Sequence, residues 1–184
     1  MKTMNKWQVA SSKLVLDNQW ARVRKDDCLL PNGIRIADYY YWEGGSFAQV
    51  FALTLDESVV FVRQYKHGVK EVVLELPAGM ISASDRDPLT TARRELREET
   101  GFDAEEWNAL GTLNVSSAKA DTRAFPFLAR TARQVAQPEP DATEDIEVVL
   151  IPIAGLITHI RQGEIRDSNS LATCLLALVH LGQI

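Results

Sequence analysis

At 184 residues, 46% hydrophobic and 24% charged, the chain has the length and composition of one ordinary globular domain, able to bury roughly two-thirds of its unfolded surface without staples. The formal net charge of −5 and the lack of a Lys/Arg block argue against a nucleic-acid partner, but leave an anionic small molecule open, since bound cations reverse the local sign of a site. Cys28 and Cys174 lack metal-type spacing and read as small apolar residues in a reducing compartment. No apolar h-region follows the Met-Lys-Thr-Met-Asn-Lys-Trp start, and Leu171 to Leu181 is too short and interrupted to span a bilayer, so no membrane and a cytoplasmic location are expected.

The first third reads as β structure. Trp20 to Leu30 and Ile34 to Trp42 flank Pro31-Asn32-Gly33, and Asn-Gly between such runs signals a hairpin. Phe47 to Leu53, Ser58 to Gln64 and Glu71 to Leu76 are further strand candidates. A helix is specified over Pro88 to Thr100. Asp87 can cap it, Pro88 suits its first position, Gly101 stands at its exit, and Leu89, Ala92 and Leu96 form an apolar stripe. Strand candidates follow at Leu110 to Val115, Phe125 to Ala129 and Ile146 to Ile151. Helices close the chain over Ile153 to Gln162 and Ser168 to Leu181, the last with Leu171, Leu175, Leu178 and Val179 inward. Ala132 to Thr143, with Pro138 and Pro140, reads as a loop long enough to be functional. This order predicts a mixed α+β or α/β sandwich.

On the Pro88 to Thr100 helix, Glu95, Glu98 and Glu99 stand at i, i+3 and i+4, so their side chains rise from one face. Three carboxylates there repel one another unless a cation lies between them. Hard divalent cations take oxygen ligands, and magnesium typically uses one or two carboxylates with phosphates and waters. Gly79, lacking Cβ, would let the backbone approach a metal or phosphate closely. The alternative is a solvated charged helix, with Arg94 paired to Glu98 and Arg93 near the other acids.

Gly79 and the run Arg94-Glu95-Leu96-Arg97-Glu98-Glu99-Thr100-Gly101-Phe102 resemble the signature of the Nudix hydrolases, Gly-x5-Glu-x7-Arg-Glu-U-x-Glu-Glu-x-Gly-U, where U is bulky and apolar. The second half is matched at every fixed position. Fourteen residues separate Gly79 from Arg94 where the signature has thirteen, and its first Glu is missing, with Asp85 at the nominal place. Loop geometry is put in question by this more than metal binding. Val62-Arg63-Gln64-Tyr65, Leu74-Glu75-Leu76-Pro77-Ala78-Gly79, Glu144-Asp145-Ile146-Glu147 and Gly163-Glu164-Ile165 resemble the ADP-ribose and sugar-nucleotide pyrophosphatase branch. Ser116-Ser117-Ala118-Lys119-Ala120-Asp121 departs from the Ser-Pro-Gly turn of many relatives.

The resemblance implies an α+β fold, an α/β/α sandwich with a mixed sheet over residues 46–184. An N-terminal antiparallel β-rich segment over 1–45 would serve a homodimer. It implies magnesium, or manganese, held by Glu95, Glu98 and Glu99 with a backbone carbonyl of Ala78 or Gly79. Arg63 is the candidate for a phosphate or terminal-ribose contact, and Lys119 for a phosphate. Glu75 would bind substrate or orient the turn. Glu144 is the first choice of general base, with Glu98 or Glu99 as alternatives. The expected activity is hydrolysis of the diphosphate of ADP-ribose or a sugar nucleotide. Two other readings stay open: action on a dinucleoside polyphosphate or NADH, and a nucleotide-metabolite sensor without turnover.

Overall fold

The computed structural model describes residues 4–184, so the first three residues of the start read above for a leader lie outside it. The described chain divides into two compact units. One comprises the chain up to Gly45 with 114–123, the other 46–113 with 124–184.

In the N-terminal unit, β1 (Gln8–Asn18), β2 (Ala21–Leu29) and β3 (Arg35–Trp42) form an antiparallel sheet in that order. The β2–β3 turn forms at the expected Pro31-Asn32-Gly33, where Asn32 Oδ1 accepts from the Ile34 amide at 3.1 Å. β1 was legible only as part of a β-rich third, because Gln8–Asn18 has little clean alternation and is exposed almost throughout. The segment 114–123 belongs here because Trp42 N donates to the Lys119 carbonyl at 2.7 Å and Asp121 N to the Trp42 carbonyl at 3.2 Å.

In the larger unit, β4 (Phe47–Thr54), β5 (Ser58–Lys66), β6 (Glu71–Glu75) and β7 (Ala78–Met80) precede α1 (Pro88–Thr100). Then come β8 (Phe102–Asp103), β9 (Glu106–Ala109), β10 (Leu113–Asn114), β11 (Arg123–Gln134) and β12 (Ile146–Pro152). A 3₁₀ turn at Ile153–Gly155 leads to α2 (Leu156–Arg161), and α3 (Ser168–His180) follows. The sheet is mixed: β11 runs parallel to β4, while β5 is antiparallel to β4, β6 and β12. β7 pairs with the start of β4.

β4 and β5 are apolar on both faces because both faces are covered. Val50, Ala52 and Val60 pack with Ala92 and Leu96 of α1, while Phe51, Val59 and Phe61 pack with Cys174, Ala177 and Leu178 of α3. This is the expected sandwich with α1 and α3 on opposite faces of one sheet.

Two expectations shift. Of Leu110 to Val115 only Leu113–Asn114 is a strand, and the main pairing falls one segment earlier, with Trp107 opposite Ala129 of β11. Trp107 sets this register by packing edge-on against Phe127 and donating from Nε1 to the Ala104 carbonyl at 3.0 Å. The α3 stripe is rotated as well: Ser170, Thr173, Cys174, Ala177 and Leu178 are buried, whereas Leu175 and Val179 are 54% and 56% exposed. Polar residues win the inward face because they are bonded there. Thr173 Oγ1 donates to Gln49 Oε1 at 2.8 Å, and Gln49 Nε2 donates to Ser170 Oγ at 3.2 Å.

Candidate active site

The helix that carries the acids is placed by its caps. Asp87 Oδ1 accepts from the Thr90 amide at 2.8 Å, and Gly101 adopts φ 73° with its N–H on the Arg97 carbonyl. Only glycine enters that left-handed exit without cost, and a Cβ there would lie 2.2 Å from the Ala136 carbonyl oxygen. With Ala92 and Leu96 fully buried against β4, the next residues of the helix point at β7.

Two glutamates meet the Ala78–Gly79 backbone. Glu99 is 1% exposed and accepts from the Ala78 amide at 3.1 Å. The Glu95 carboxylate lies over Gly79, where a Cβ would sit 2.0 Å from its Cδ and Oε1. The β7 turn is held by Val50 N on the Pro77 carbonyl at 2.9 Å and by Leu76 N on Ser170 Oγ at 3.0 Å. Burial drives the Glu99 carboxyl well above its usual range, and the nearby Glu95 and Glu144 charges push it further. Glu95 is also raised, by burial first, against the lowering effect of Arg94.

Glu98 is placed differently. Its Oε2 accepts from Arg94 Nη1 at 2.8 Å and its side chain is about half exposed. Arg94 also reaches Glu95 Oε1 at 2.8 Å, Asp85 Oδ2 at 3.3 Å and the Met80 carbonyl at 3.3 Å, tying the 80–87 loop to the helix. Arg93 stacks on Trp107 instead of meeting the acids. Among the described residues no three acidic, histidine or cysteine side chains form a preformed metal cage.

The buried Glu99 and half-buried Glu95 carboxylates nevertheless suit a divalent cation, since magnesium commonly uses one or two carboxylates and completes its shell from phosphates and waters. The missing Cβ of Gly79 leaves the turn open to the Glu95 carboxylate. The donor set and the cradle therefore fit such an ion.

Glu144 sits in a tight turn, its N–H on the Asp141 carbonyl and its Oε2 accepting from Asp141 N at 3.1 Å. Its charge is felt by both Glu95 and Glu99. Arg63 is engaged across the sheet, with Nη1 2.6 Å from Glu147 Oε2. Lys119 lies in the N-terminal unit, with its Nζ 5.2 Å from the Tyr39 ring centroid. Glu75 is held by Lys66 Nζ at 2.7 Å and Gln64 Nε2 at 2.9 Å, and burial raises its carboxyl.

Glu75 also opens a region the sequence reading missed. A recess of about 220 Å³ is lined by Ala78, Gly79, Glu75, Lys66, Asp167 and neighbours. A larger cavity of about 510 Å³ shares Lys66, Glu75 and Asp167 with it. The strand period carried a usable signal, because Val62, Gln64 and Lys66 alternate onto one face of β5. Asp167 shows itself as the cap of α3, accepting from Ser170 N at 2.7 Å.

A model of the NUDIX domain matches residues 46–174, and one of the nucleoside diphosphate sugar hydrolase N-terminal domain matches residues 7–42. An ADP-ribose pyrophosphatase of Mycobacterium tuberculosis is 31% identical over 154 residues, 83% of this chain and 74% of that protein. A methanol dehydrogenase activator of Bacillus methanolicus is 28% identical, over 92% of this chain and 88% of that protein. A crystal structure described as an ADP compounds hydrolase superposes over 100% of both chains with a TM-score of 0.85 at 20% identity, which shows the fold. With Gly79, Glu95, Glu98 and Glu99 standing on the matched domain, the chain belongs to the Nudix hydrolase family.

Proposed function

We propose that this enzyme hydrolyses the diphosphate of ADP-ribose or a related nucleoside diphosphate sugar, releasing a nucleoside monophosphate and a sugar phosphate. The observation that carries the reading is the pair of the buried Glu99 and the half-buried Glu95 set against the Ala78–Gly79 backbone. The M. tuberculosis relative and the match of the N-terminal unit to the nucleoside diphosphate sugar hydrolase model support the substrate class.

Nudix hydrolases use divalent metal ions. Here Glu95 and Glu99, with Glu98 beside them and the carbonyl of Ala78 or Gly79, would hold magnesium or manganese, which when bound supplies charge neutralisation for the diphosphate. The chain's own residues do the rest. Arg94 fixes the loop and keeps Glu98 at the helix surface. Glu144, on its turn after the long loop, is the group we assign as proton acceptor for the attacking water, with Glu98 the alternative. Arg63 reaches a phosphate only by leaving Glu147, and Lys119 contributes only from the N-terminal unit.

We further propose that a second copy covers the N-terminal sheet, giving a homodimer. Val9 and Trp42 of this sheet and Trp20 and Ile34 of its turns are large apolar side chains left exposed, which a partner's sheet would cover. No helix of the described chain is long and apolar enough to cross a membrane. We take the protein to be cytoplasmic, which the free buried Cys28 and Cys174 suit.

The test is a panel of ADP-ribose, ADP-glucose, GDP-mannose, NADH and a diadenosine polyphosphate with magnesium, read as released nucleoside monophosphate. One diphosphate sugar should turn over best, and Glu98→Gln should lower its rate about 10²–10⁴-fold, the range for losing an acid–base or equivalent group. Saturable nucleotide binding with no turnover by the wild type would replace the enzyme by a sensor.

A further inference from the structure

The cavity of about 510 Å³ beside the candidate site is within the range of small-ligand pockets and larger than a pentose needs. It shares Lys66, Glu75 and Asp167 with the recess at Ala78–Gly79, so a ligand whose diphosphate lies at Gly79 can extend into it. Its charged lining is Lys66, Glu71, Glu75, Glu164, Arg166 and Asp167. Val69 and Val73 add an apolar edge.

Both cations of this lining are already matched. Lys66 lies 2.7 Å from Glu75 and Arg166 2.5 Å from Glu71. Glu164 and Asp167 have no lysine or arginine within 4.0 Å among the described residues. Glu164 faces His159 Nδ1 at 3.0 Å, and Asp167 is spent on the Ser170 amide. The wall is thus rich in carboxylate acceptors, with a formal excess of negative charge.

Carboxylates accept hydrogen bonds from hydroxyls and repel anions, and such repulsion selects against a wrong ligand as effectively as contacts select the right one. We propose that this cavity is the subsite for the non-nucleotide half of the substrate, taking a neutral polyhydroxylated sugar and rejecting one that carries a phosphate or carboxylate. The inference rests on the diphosphate-sugar reading above. It favours sugar nucleotides over dinucleoside polyphosphates, whose second half brings further phosphates.

The experiment keeps the two ideas apart. Wild-type turnover of ADP-ribose tests the function. Calorimetric binding of ADP-ribose and of ADP-ribose 1″-phosphate to the full chain carrying Glu98→Gln tests the cavity, because these ligands differ by one phosphate on the terminal sugar. The phosphorylated ligand should bind at least about tenfold more weakly, and adding Glu164→Lys should shrink that ratio about tenfold, by strengthening the phosphorylated ligand and weakening ADP-ribose. Glu164→Gln, isosteric and at a half-exposed position, should shrink it by less and guards against a folding artefact. Equal binding of the two ligands, or a ratio indifferent to both Glu164 variants, overturns the cavity assignment even if ADP-ribose is hydrolysed. Neither turnover nor binding of ADP-ribose overturns the function and this inference with it.

Discussion

Asp85 accepts from the Ser82 amide, the Thr91 hydroxyl and the Arg94 guanidinium, and these donors, the amide foremost, hold its carboxyl at about 2. It stands where the family signature has a Glu, one residue early for the helix, and the structure shows what the insertion does locally. The 82–85 turn closes on the Asp85 carboxylate, and Arg94 still finds an acid in the loop. Asp85→Asn should loosen the loop from Arg94, which already bonds Glu95 and Glu98, and a displacement of about 1 Å at such a site costs on the order of 10²-fold in kcat/KM. Unchanged kinetics would show that the loop is positioned without it. The acid side has a definite sign. The folded value lies below the ordinary 3.8, so the stabilisation is complete above that pH and is lost as pH falls through about 2. Urea unfolding between pH 5 and pH 2 should show a shallower acid loss in Asp85→Asn than in the wild type.

Helix α1 is the element in which sequence and structure agree most closely, because every determinant is local. Asp87, Pro88 and Gly101 each act within one turn of their own position. Gly101→Ala should therefore cost about 2 kcal/mol or more, from a left-handed φ and a backbone oxygen 2.2 Å from the new Cβ. Denaturant unfolding measures this, and a loss below about 0.5 kcal/mol would mean that the 135–137 segment simply moves aside. Where the determinants are distant, reading the sequence fails. Of the α3 stripe Leu171, Leu175, Leu178 and Val179, Leu171 and Leu178 do face the core, but Leu175 and Val179 do not, because Ser170 and Thr173 take the inward face by bonding to Gln49, more than a hundred residues away. The same distance hid Lys66, Arg166 and Asp167, which gather only when residues 164–167 run beside β6. The acids on α1 were legible as a set, but their division was not: Glu99 is buried at the turn and Glu95 lies over Gly79, while Glu98 stays half exposed on Arg94.

For the whole molecule, placing an ionisable acid at 1% exposure sets a conflict between stability and function. The folded Glu99 carboxyl titrates well above its ordinary 4.5, so the fold favours its neutral form. Its contribution is favourable below that ordinary value and is lost as pH rises through the raised one. Metal-free protein should thus become less stable as pH climbs from about 4.5 toward neutrality, and Glu99→Gln should be more stable than the wild type at pH 7 without metal. If Glu99 holds a divalent cation as proposed, the cation should reverse the order, because it binds the ionised folded form and not the unfolded chain. At a hundredfold excess over its Kd it adds about 2.7 kcal/mol, a rise of roughly 5–10 °C in Tm for a chain of this size. Differential scanning calorimetry of wild type and Glu99→Gln, each with chelator and with magnesium, reads all four states. A crossing should appear, with the variant higher in chelator and the wild type higher in magnesium. A variant less stable than the wild type in chelator would mean that the Ala78 amide bond outweighs the burial of the charge. A variant raised by magnesium as much as the wild type would remove Glu99 from the metal site.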